Sequence, residues 1–226
     1  MNLDFYGIYF PRLETPSSGE IRQLLERGFE AGWTTTRDGG IDRSMYSDIS
    51  RDLVLDWRPT EEAIDELTTR KRGSISIFGA NSDFVLTVAP SWERYGLPEL
   101  GGVSLIWERV HFRENVTETT QEAFDIAALV YDELAPPFAF SYLPYQIERE
   151  TTITRSDLED GRVPDVFWTM FLSEPVCERF GRNRLQTSPV WKTESLPDGG
   201  IGIVVTADPY QYSEEEKNHF KDHLGI

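Results

Sequence analysis

The stretch "SLPDGGIGIVVTADPYQY", Ser195 to Tyr212, decides the class of fold. Gly199, Gly200 and Gly202 fall within four residues beside an apolar run. A loop that cradles phosphate must follow a strand and open a helix, because the helix N–H groups do the binding. Here the glycines follow Pro197-Asp198 and lead into Ile203-Val204-Val205, a β-branched run. Their spacing matches neither the dinucleotide fingerprint nor the P-loop. Asp-Gly between two apolar runs is a hairpin turn, so the stretch predicts antiparallel strands and no nucleotide site.

Working outward, the same logic organises the rest. Leu3–Phe10 is an aromatic first strand, ended by the segment from Pro11 to Pro16. Ser17 and Glu20 form a capping box, and Ile21, Leu24, Leu25 and Phe29 follow at helical spacing up to Gly32. Trp33 to Ser50 is polar and reads as loop or irregular edge; Arg51–Trp57 alternates as a strand. Thr60 is placed to cap a helix carrying Ala63, Ile64 and Leu67 as its apolar stripe. Gly73–Ala89 is a hairpin about Gly79-Ala80-Asn81-Ser82. Val103–Phe112 is a strand, and Thr117 to Leu134 a strong helix stopped by Pro136-Pro137. Phe138–Leu143 is a strand, and Gln146 to Arg162 a charged, unpatterned loop. Asp165–Leu172 is apolar nearly all round, which predicts a buried helix. Pro175 to Gly181 is a short turn, Leu185–Trp191 and Ile201–Ala207 are strands, and Ser213 with Glu216 caps a last helix. Strands and helices in this order predict an α+β fold: a central, mostly antiparallel sheet with helices packed on one face. Residues 1–226 are expected to form one such domain, with a two-lobed arrangement about the loop near 146–162 left open.

Composition narrows the function. The chain has 39 acidic and 22 basic side chains, a net charge of −17 and only four lysines. Such a field repels the phosphates of nucleic acid and the surface of anionic membranes. Arg70-Lys71-Arg72 is the one basic run, and it falls at a predicted helix end, where cations offset the dipole. The acidity suits solubility at high salt, a high-GC genome, or a basic protein partner. A lone cysteine, Cys177, forms no intrachain disulfide, and no signal-like start or long apolar run is present, so the cytoplasm is the expected compartment.

Candidate chemistry is sparse. His219 and His223 share a helix face with Glu215, but a zinc site wants three or four ligands, and His111 belongs to a distant strand. Cys177 is flanked by Val176 and Phe180 at core spacing and reads as packing. Glu61-Glu62 and Asp65-Glu66 read as a solvated helix face. Trp57, Trp107, Trp168 and Trp191 fall inside predicted elements and read as core. No catalytic residue, metal or cofactor is assigned. The loop carboxylates Asp157, Glu159 and Asp160 are the candidate contacts to a partner, since exposed loops on a rigid scaffold carry binding.

The order of features resembles the immunity protein 52 family of polymorphic-toxin immunity proteins. The likeness is carried by the aromatic strand Phe5–Phe10, then Arg12-Leu13-Glu14, a capped helix and Trp33. At the other end it is carried by Val166–Leu172, read as a buried aromatic helix, then Leu196-Pro197-Asp198-Gly199-Gly200 and the strand to Thr206-Ala207-Asp208-Pro209-Tyr210. The resemblance implies a non-enzymatic immunity protein that neutralises a cognate toxin by occlusion, expected in the cytoplasm. This chain departs from the family in being very acidic, and that charge adds the expectation of a basic toxin met through an acidic surface. The alternative is a carboxylate-dependent hydrolase of a salt-adapted organism; a structural or phage-related protein is a third. A hydrolase predicts a cleft with convergent, perturbed carboxylates, whereas an occluding inhibitor predicts a flat or convex acidic face.

Overall fold

A computed structural model describes residues 5–48, 54–70, 72–89, 100–112, 115–142 and 153–225. The strands are β1 (Phe5–Arg12), β2 (Arg43–Asp48), β3 (Val54–Pro59), β4 (Gly73–Phe78), β5 (Asp83–Ala89), β6 (Gly101–Glu108), β7 (Phe138–Tyr142), β8 (Thr169–Leu172), β9 (Lys192–Ser195) and β10 (Ile201–Val204). The helices are α1 (Ser18–Glu30), α2 (Thr60–Thr69), α3 (Val116–Leu134), α4 (Arg155–Glu159), α5 (Glu174–Phe180), α6 (Arg182–Gln186) and α7 (Glu214–Leu224). All ten strands join one sheet in the order β3-β2-β4-β5-β6-β1-β7-β8-β10-β9, and every described pairing is antiparallel. The fold is α+β.

The hairpin that opened the sequence reading is present. β9 and β10 pair with Ser195 opposite Ile201. Gly199 turns the corner at φ +81°, a conformation that costs a side chain dearly but glycine little. The Asp198 carboxylate accepts from the Gly200 N–H (2.8 Å) and from the Tyr131 hydroxyl of α3 (3.3 Å), so the turn is tied to a helix.

Register shows how the layers form. Ile8, Leu105, Leu86 and Ile75 stand side by side across β1, β6, β5 and β4, all buried. α1 packs between α2 and α3, while α3 lies on β1 and β8 and α2 lies on β2, β3 and β4. Phe124 and Tyr131 of α3 stack on Phe171 of β8 with centroids 5.1 and 5.7 Å away. Phe140 lies opposite Met170, one residue out of phase with Phe171, so it points through the other face. There Phe167 covers it at 4.7 Å. Farther along that other face Ser47, Ser74, Thr87 and Ser104 are adjacent and buried, so small hydroxyl residues fill the row.

Several expectations are corrected. Thr169–Leu172 is a strand, not a helix: a short run buried on both faces loses the alternation that marks a strand. Arg182–Gln186 is helical where a strand from Leu185 to Trp191 was expected, and β9 begins only at Lys192. Trp33 to Ser50 contains β2, whose Ser44 and Tyr46 are buried. Thr60 is not the cap of α2. It is the first helical residue, and its hydroxyl donates to the Ile41 carbonyl (2.5 Å) while lying 2.8 Å from the Ser44 hydroxyl. Asn115, not Thr117, holds the cap position of α3. The last residues of the Val103–Phe112 strand form a 3₁₀ turn, Arg109–Phe112, and His111 lies in it. The expected loop at 146–162 holds α4, opened by a capping box between Thr154 and Asp157; residues 146–152 lie outside the described residues. Trp107 and Trp168 are core and Trp191 packs against the core, but Trp57 is 46% exposed.

Candidate binding groove

The described surface holds a groove of about 630 Å³ between the end of α1, the β4–β5 turn, α3 and Trp191. Its walls follow from local chemistry. α1 ends at Ala31-Gly32, and Trp33 folds back so that its N–H donates to the Gly28 carbonyl (2.8 Å). A Cβ on Gly28 would lie 2.0 Å from the Trp33 ring, so only glycine lets the indole close over the helix. The indole then meets Phe84 edge-on at 5.2 Å. The opposite wall is the Gly79–Ser82 turn, and Glu122 of α3 holds it: one carboxylate oxygen accepts from the Asn81 N–H (2.9 Å), the other from the Ser82 hydroxyl (2.9 Å).

α3 supplies the floor and the charge. Glu118, Gln121, Glu122, Asp125, Ile126 and Leu129 recur every three or four residues, which puts them along one face. Gln121 is clamped between charges: its amide N–H donates to Asp125 (2.7 Å) and its oxygen accepts from Lys192 (3.0 Å). Lys192 sits over the Phe124 ring at 4.3 Å and pairs with Glu194 at 2.7 Å. Burial pushes the Asp125 carboxyl above the ordinary carboxylate range, more than the Gln121 hydrogen bond and Lys192 pull it down. The arrangement is an apolar trough with a partly desolvated carboxylate at its rim, suited to receiving a cation.

The three sequence candidates lie elsewhere, in and beside α4. Asp157 is buried: burial raises its pKa, but the Thr154 N–H and hydroxyl and the Arg162 guanidinium (2.6 Å) outweigh that and hold it below the ordinary value. Its carboxylate is thus already spent on the structure. Glu159 pairs with Arg155 at 2.9 Å, and Asp160 is exposed with a 3.3 Å bond from Ser156. A depressed carboxyl stabilises the fold above its unfolded value of about 3.9 and loses that contribution as pH falls through the lower folded value. Asp157→Asn is expected to cost about 1–2 kcal/mol at pH 7, from the lost cap and charged hydrogen bond, with the deficit closing below about pH 4. Denaturant melts of both proteins from pH 7 to pH 3 check it; a deficit unchanged with pH contradicts it.

The remaining candidates are placed as follows. Cys177 is buried, burial pushes its thiol up to about 11, and it donates to the Leu172 carbonyl at 3.4 Å. His223 contacts the Arg184 carbonyl at 3.0 Å. Among the described residues no group of three or more His, Cys, Asp or Glu could hold a metal ion. Glu61 and Asp65 pair with Arg22. The groove is lined by Trp191, by Trp33 and by the Gly79-Ala80-Asn81 turn, all noted in the sequence for their place in the fold, and by none of the candidate partner contacts. The helical spacing of Glu118, Glu122 and Asp125 is visible in the sequence; that Trp33 and Trp191 close in beside them is not.

No helix among the described residues is long and apolar enough to cross a membrane. No family model and no curated protein matches the sequence. Among solved structures, the chain is similar to the Pseudomonas aeruginosa T6SS protein PA0821, with a TM-score of 0.50 and 12% identity over 98% of this chain and 72% of that one. At that identity the likeness is one of fold.

Proposed function

We propose that this chain is a non-enzymatic, cytoplasmic binding protein that neutralises a cognate basic toxin by occluding it. The observation that carries the reading is the fold shared with a T6SS protein along nearly the whole chain, which supports a secretion-system-related role. The charge of −17 gives that role a mechanism. An acidic field speeds encounter with a basic partner and disfavours wrong ones, and a stable complex buries about 800 Å² on each side. Asp125 supports a second reading, a carboxylate-dependent hydrolase, because perturbed carboxyls in clefts mark acid–base sites.

Where a neighbouring gene encodes a secreted toxin domain, the test is co-expression of this chain with that domain. Protection of the cells and co-elution as a complex are expected. Association should slow about tenfold or more between low and high salt, as steering is screened. Cells that die despite soluble expression, with no complex, overturn the reading.

A further inference from the structure

We propose that the groove between α1, the β4–β5 turn, α3 and Trp191 seats an arginine side chain of the protein partner. The proposal rests on the binding role above and names the anchor it uses. Charge complementarity selects the occupant: the chain is strongly acidic, and the exposed Glu118 and Asp125 border a trough whose apolar surface comes from Trp33, Ile126, Leu129 and Trp191. Glu122 is not counted, because both of its oxygens are committed to the turn. Asp125 accepts from Gln121 with one oxygen, and among the described residues no hydrogen bond engages the other.

Arginine fits better than lysine for three physical reasons. Its planar guanidinium stacks on aromatic rings, and two tryptophans, Trp33 and Trp191, line the trough. Its fork of donors can meet two carboxylates, whereas an ammonium meets them as a point charge. It is also the more weakly hydrated cation, so it enters an apolar trough at less desolvation cost. A bound guanidinium stabilises the ionised Asp125, offsetting the burial that disfavours it.

The probe is N-acetyl-arginine methyl ester, whose guanidinium is its only charge. It is titrated into the full chain while the Trp191 indole N–H is followed by NMR. Saturable shifts at Trp191 and Asp125 are expected, with the arginine probe binding about tenfold tighter than its citrulline isostere and several-fold tighter than the lysine ester. Asp125→Asn and Glu118→Gln, both at exposed rim positions, should each weaken binding several-fold while the melting curve stays two-state. Trp191→Ala should abolish it; if that variant unfolds, the two rim variants decide. Equal binding of citrulline, equal binding of lysine, or shifts that never saturate overturn the proposal. Because no toxin is involved, its failure is separable: a groove that ignores arginine in a protein that still protects cells refutes the anchor alone. A groove that binds arginine in a protein that protects nothing refutes only the toxin reading.

Discussion

Replacing Phe171 by alanine is expected to cost about 3–5 kcal/mol and to lower the melting temperature by about 10 °C. Phe171 is fully buried and stands on the face of β8 that α3 covers. Phe124 and Tyr131 stack on it from one helix, and Gly202 lies directly opposite it in β10. A Cβ at Gly202 would come within 2.6 Å of the Phe124 ring, so these aromatics already occupy the space a larger neighbour would fill. Alanine therefore leaves a cavity that the rigid sheet and a nineteen-residue helix cannot collapse to fill. Ring–ring attraction of about 0.5–1.5 kcal/mol per pair is lost as well. Since domains of this kind have about 5–15 kcal/mol in total, the variant should sit near the folding threshold. Phe171→Leu keeps most of the volume and should retain well over half of the lost stability. Equal costs for the two, measured by urea denaturation, would show that packing is not what this residue supplies.

Asp165→Ala is expected to have a comparable effect by a different route. Asp165 accepts from Lys217 Nζ at 2.7 Å and from Lys221 Nζ at 2.5 Å, both on α7, and from the Val166 N–H at 2.8 Å. The carboxylate and the Lys217 ammonium are each about nine-tenths buried. Removing one member of a buried pair costs about 3–5 kcal/mol, because the other charge keeps its desolvation penalty without its partner. α7 should loosen first, read as faster amide exchange over residues 214–224 than elsewhere. Lys221 is 30% exposed, so Lys221→Met should cost under about 1 kcal/mol. The double variant Asp165→Ala, Lys217→Met should be more stable than Asp165→Ala alone, since it removes a buried ammonium that has lost its 2.7 Å counter-charge. If the double variant is instead additive, the pair is not coupled and the argument fails.

Much of the fold was legible from local rules. The Ser17–Glu20 box, the Asp-Gly corner and the Gly79–Ser82 hairpin are shaped by short-range hydrogen bonds, and α3 then ties the two turns down through Tyr131 and Glu122. The elements that were misread depend on partners far along the chain. β2 carries buried serines whose neighbours are distant in the chain: Ser74 of β4 lies beside Ser47 and Thr60 of α2 beside Ser44. The Arg182–Gln186 helix takes its position from Gly181, which ends one helix and precedes the next at φ +88°. The groove was out of reach for the same reason: Trp33 and Trp191 are 158 positions apart in the sequence but line one trough.

By itself, then, the order of residues determined the class, the antiparallel hairpins, the acidic field and the turn made by Gly199-Gly200. Each of these follows from backbone preference or from summed charge, which need no knowledge of distant neighbours. Tertiary structure alone decided that Thr169–Leu172 is a strand, that Asp157 is buried, and that Glu118 and Asp125 border an aromatic trough. The physical reason is burial. Whether a side chain meets water, a ring or a counter-charge depends on which surfaces the sheet and helices bring together.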